Sequence, residues 1–144
     1  MRVHFGAGMR MDYTTAALLF PAIPLLLLVM GNRFTVLSDL IRKLYDVLSG
    51  DTINKEQREN ILFQINRFNM RVKLLRNAQL FLCVGLFFNL ITVFALYAAI
   101  PLLAKYLFGL ALLAAIAAIT LYMRDVFISA KTLDILLGRL RDNP

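Results

Sequence analysis

Four charged residues at the ends of apolar runs are the strongest candidates for chemistry in this chain: Arg33, Arg76, Arg124 and Asp125. A carboxylate among arginines forms charge-assisted hydrogen bonds, and surplus guanidinium groups can grip a phosphate. The expected arrangement pairs Asp125 with Arg33 or Arg76 and leaves positive charge for a lipid headgroup or another anion. Three separate headgroup contacts are the alternative.

Asn89 is the most polar side chain deep in the second apolar run, with Gly85 and Thr92 nearby in sequence. Spacings of four and three residues put all three on one helical face. A buried amide in lipid needs a partner, and interhelical hydrogen bonds of this kind average about 0.6 kcal/mol. Helix packing is the reading, and contact with an ion or solute the alternative. The third run offers a matching small-residue surface in Gly109, Ala111, Ala114, Ala115 and Ala118, which lets backbones approach closely. In the first run Pro21 and Pro24 each remove a backbone hydrogen bond, freeing the carbonyls of Ala17 and Phe20 and implying a kink, static or acting as a hinge. Lys105, near the start of the third run, has a stem long enough to reach headgroups.

No catalytic constellation accompanies these residues. His4 is the sole histidine, and the chain has no HExxH, no Gly-rich phosphate loop and no nucleophile beside a base. The apolar runs hold no acidic residue, so a carboxylate proton relay is not evident. Cys83 stands alone, which excludes an internal disulfide or a thiolate metal cluster. The sequence therefore reads as non-enzymatic, with no cofactor.

The elements that position these residues are membrane spans. Of 144 residues, 60% are hydrophobic and 17% charged, whereas soluble domains carry roughly 45–50% and about 25%. Spans are expected over 13–31, 78–100 and 102–123, each near the roughly 20 residues that cross a hydrocarbon core. The first run could instead be a cleaved signal, but "VMGNRF" offers no small-x-small cleavage site. Residues 1–12 read as a poorly structured tail, with Met1, Met9 and Met11 as alternative starts. Basic residues divide 13 against 3, with 31–76 and the segment after 123 on the rich side. Cytoplasmic loops carry the Lys/Arg excess, which predicts an N-terminus outside and a C-terminus in the cytoplasm. The net charge of +7 then serves topology and anionic lipid rather than nucleic acid.

The charged segments are not loops. Phe34, Leu37, Ile41, Leu44 and Leu48 recur at alternating three- and four-residue steps, as do Ile61, Ile65, Phe68, Val72 and Leu75, in a phase that continues to Gln79 and Leu82. Val126, Ala130, Leu133, Leu137 and Leu140 repeat the pattern. Such a narrow seam suits packing against other helices; helices lying flat on the membrane are the alternative. Each seam continues a span, so the fold class is all-α, with three long helices. Residues 32–49 and 53–76 form a helical hairpin outside the membrane, and 124–141 a C-terminal helix. Gly50 ends the first helix, Asn54 and Gln57 offer a capping box to the second, and Pro101 opens the third.

The chain resembles a family of small bacterial membrane proteins catalogued as domain of unknown function 2721. The resemblance rests on the "NRF" ending of the first span, "LSDLIRKL", "QINRFNMRVKLLRNA" and "YMRDVFISAKTL", and it covers Tyr13 to Leu140. It implies three spans in a bacterial inner membrane and no established reaction. The expected role is a structural or accessory subunit that packs with copies of itself or with other membrane subunits. The alternative is a homo-oligomeric channel for an ion or small solute, gated at Pro21 and Pro24 and lined by Asn89 or Thr92.

Overall fold

A computed structural model describes residues 13–50 and 52–141, so the expected N-terminal tail and His4 lie outside the described residues. All regular structure among them is helical: α1 is Tyr13–Leu48, α2 is Lys55–Tyr97 and α3 is Pro101–Arg141. Each helix is long and apolar enough to cross a membrane. At 1.5 Å per residue the 43 residues of α2 extend about 65 Å, more than twice a hydrocarbon core of about 30 Å. All three helices therefore consist of an apolar half and a charged half.

Short connections make sequential helices neighbours. After α1, the Ser49 N–H donates to the Tyr45 carbonyl at 3.0 Å and the Gly50 N–H to Val47 at 3.2 Å. Asn54 caps α2 with an extended backbone, and its carbonyl accepts from the Arg58 N–H at 3.0 Å. Its side chain makes no capping bond, so the expected capping box does not form. This helix end is exposed, where water can satisfy the free N–H groups.

The turn from α2 to α3 is tighter. The Ile100 N–H reaches the Ala95 carbonyl at 3.0 Å and the Ala99 N–H reaches Leu96 at 3.1 Å, the paired bonds of a Schellman motif. Ala99 takes a φ of 59°, a left-handed position where glycine is usual. Pro101 then opens α3, as the sequence predicts, since the first helical turn needs no N–H there.

Helix α2 lies between the other two, and α1 and α3 barely meet directly. The core joins Ile23 and Met30 of α1, Ala78 and Leu82 of α2, and Ala118 of α3. In the charged halves α1 and α2 close on the expected seam. Leu37, Ile65 and Leu75 are buried, and Ile41, Leu44, Ile61, Phe68 and Val72 are half-buried. One position shifts: the seam passes through buried Ala78, leaving Gln79 half-exposed.

The α3 seam is where the expectation fails. Val126, Ala130, Leu133 and Leu137 face outward, with Leu133 57% and Leu137 54% exposed. The cause lies in the span. Ala104, Ala111, Ala115 and Ala118 set the face that α3 turns to α2, and helical steps from this stripe arrive at Asp125, Ser129 and Thr132. The apolar series is one residue out of phase, a rotation of about 100° around the helix.

Candidate functional site

Asp125 sits where the apolar half of α3 gives way to its charged half, and its side chain is 0% exposed. A carboxylate removed from water needs opposite charge and hydrogen bonds together. Both come from the other two helices. From α2, Arg71 Nε donates to Oδ1 at 2.9 Å; from α1, Arg33 Nη2 stands 3.1 Å from Oδ2. The second contact is an ion pair without a well-directed hydrogen bond, so Oδ2 is neutralised but not fully satisfied.

Ser129, one turn after Asp125, extends the cluster. Its hydroxyl oxygen accepts from Arg33 Nη2 at 2.8 Å and from Arg71 Nη2. Aromatic rings flank both guanidinium groups: Arg33 Cζ lies 5.6 Å from the Tyr122 ring centroid and Arg71 Cζ 5.9 Å from that of Phe68. Arg33 is 30% exposed and Arg71 14%, so the cluster is a largely buried tie among three helices. Its two cations and single anion leave one positive charge over.

The expected pairing of Asp125 with Arg33 is found, but Arg76 takes no part. Arg76 is exposed, and five residues of helix turn it well away from Arg71. Arg71 was missed by reasoning from the span edge. Its signal was the four- and three-residue steps to Leu75, Ala78 and Leu82, which place it on the packed face of α2. Ser129 was likewise readable as the residue one turn beyond Asp125. Arg124 is exposed and lines a cleft between α2 and α3 instead of joining the cluster.

The small-residue surfaces meet in the span. Gly85 is buried, and a Cβ built there would lie 3.2 Å from the Ala111 carbonyl oxygen, 3.5 Å from Ala114 Cβ and 3.7 Å from the Ala115 nitrogen. Ala111, Ala115 and Ala118 are buried and Ala114 is half-buried. Gly109 does not belong to this contact, because a Cβ there would meet nothing within 4 Å. Asn89 and Thr92 are both fully buried. The expected interhelical bond from Asn89 is absent: neither amide atom has a partner, and the Thr92 hydroxyl donates to Phe88 of its own helix at 2.8 Å. Local back-bonding of this kind satisfies threonine without a neighbour.

The α1 helix runs unbroken through Pro21 and Pro24. Both prolines are exposed, and Ile23 between them is buried. Lys105 and Cys83 are also exposed. Among the described residues no group of three or more His, Cys, Asp or Glu side chains comes together as a metal site would require.

A family model described as "Protein of unknown function (DUF2721)" matches residues 13–135. No curated protein and no solved structure matches significantly.

Proposed function

This chain belongs to the DUF2721 family, and from that premise we propose that it is a non-enzymatic membrane subunit working through helix packing. The reading places it in a bacterial inner membrane, charged halves in the cytoplasm, bound to copies of itself or to other membrane subunits. The uneven division of basic residues supports that orientation.

One observation carries the packing role: the unpartnered seam of α3. Leu133 and Leu137 of this seam are exposed beyond the span, where water rather than lipid would meet them. Large apolar side chains grouped outside the membrane mark an interaction surface, and regular seam spacing suits another helix. Burial of Asn89 and Thr92 inside the single chain favours the packing reading over the channel alternative.

The test is the native mass after gentle extraction, with companions identified, for the unaltered chain and for Leu133→Gln/Leu137→Gln. The unaltered protein should run as an oligomer or with stoichiometric partners, and the variant should release them while keeping its helical content. A single unaccompanied chain in both cases would refute the reading.

A further inference from the structure

The charged halves of α2 and α3 diverge around a cleft of about 880 Å³. Five cations line it: Arg67, Arg71, Lys73, Arg124 and Arg139, with no acidic side chain among the lining residues. Arg71 is already held by Asp125, which leaves four positive charges facing the space. Apolar side chains, including Phe63, Met70 and Ile135, share its walls. Such a lining suits an amphiphilic anion better than a small hydrated one.

A second, shallow depression of about 200 Å³ on the surface of α2 shares the residue Asn77 with it. The rest of that depression is Leu80, Phe81 and Val84, within the apolar half of α2. Toward the apolar half of α2 the cationic cleft is thus followed by the exposed apolar side chains of Leu80, Phe81 and Val84.

We propose that the cleft, together with these apolar side chains, is a binding site for a phospholipid whose headgroup carries more than one negative charge. The headgroup comes from the leaflet on the basic side. Its phosphate oxygens meet Arg124 and Lys73 at the membrane end of the cleft, with Arg67 facing further negative charge. Arginine suits phosphate by presenting paired N–H donors. One acyl chain lies along Leu80, Phe81 and Val84. A second copy of α3 is a poor occupant, since it would bring Lys131, Arg139 and Arg141 against Asp134 as the sole acid of its described charged half after Asp125. The proposal requires only that the helices span a membrane, and it stands apart from the self-association reading.

Native mass spectrometry of the full chain with equal amounts of cardiolipin, phosphatidylglycerol and phosphatidylcholine tests it. Cardiolipin, with two phosphates, should be retained at least tenfold over phosphatidylcholine and clearly over phosphatidylglycerol. Lys73→Gln/Arg124→Gln should weaken cardiolipin retention roughly 25-fold, at about fivefold for each cation removed near a membrane surface. Arg42→Gln/Lys43→Gln, which removes the same charge from α1 outside the cleft, should leave retention unchanged. Val84→Trp, which reshapes this apolar surface without altering charge, should reduce it as well. Equal retention of the three lipids, or equal loss in the α1 control, would overturn the proposal. So would an acidic protein that copurifies through Lys73 and Arg124 in the lipid's place. The same spectra report oligomer mass, so failure of the seam reading is seen separately from failure of this one.

Discussion

A single carboxylate carries more of the structure than its size suggests, because among the described residues Asp125 is the one acid held by cations from two other helices. Removing one partner of a buried ion pair strands the remaining charge. Asp125→Asn should therefore lower unfolding stability in detergent by on the order of 3 kcal/mol, with Arg33→Gln costing less because Arg33 remains partly in contact with water. Denaturant titration followed by helical signal would measure both. Asn89 should behave in the opposite way. Its two unpaired amide atoms are a burden on the fold, so Asn89→Leu should raise stability by about 1–2 kcal/mol in the same titration. A fall instead would mean that Asn89 holds a water or ligand. At this scale the sequence exposed half the cluster. Asp125 and Arg33 stood out as charges bordering apolar runs, but Arg71 lies within a charged stretch where only its helical phase distinguishes it from its neighbours.

Among the elements, the start of α3 was legible because Pro101 acts through local backbone chemistry, while α1 stops beside Gly50 without a left-handed glycine. The end of α2 was not legible, since its left-handed position is filled by alanine. Ala99→Gly should relieve that conformation and raise the thermal midpoint, a gain of about 0.5–1 kcal/mol after the added freedom of the unfolded chain. The two span glycines should separate cleanly in the same thermal experiment. Gly85→Ala pushes a methyl group toward a backbone oxygen that cannot swing aside, costing about 1–3 kcal/mol. Gly109→Ala meets open space and removes a flexible helical position, gaining up to about 1 kcal/mol. Both glycines looked alike in the sequence, as small residues in a run. Only the rotation of α3 tells them apart, and the same rotation turned its apolar seam outward. Periodicity reveals that a helix has a face, but the neighbour decides which face is used.

For the molecule as a whole, short turns made the α1–α2 and α2–α3 neighbours foreseeable, while the separation of α1 from α3 depends on packing that no local signal encodes. The charge division remains the strongest whole-chain prediction: a fluorescent protein fused after Pro144 should mature and fluoresce in the cytoplasm, and an export-dependent enzyme fused there should stay inactive. The buried cluster also has a consequence for biosynthesis. Chains emerge from the ribosome N-terminus first, so Arg33 and Arg71 are made before the carboxylate that needs them both. When α3 arrives, Asp125 can leave water at low cost only if α1 and α2 are already side by side. A hairpin that has failed to close leaves that acid stranded, and the defect is written into the last helix to be delivered. Docking of α3 through Asp125 should therefore depend on prior closure of the α1–α2 hairpin.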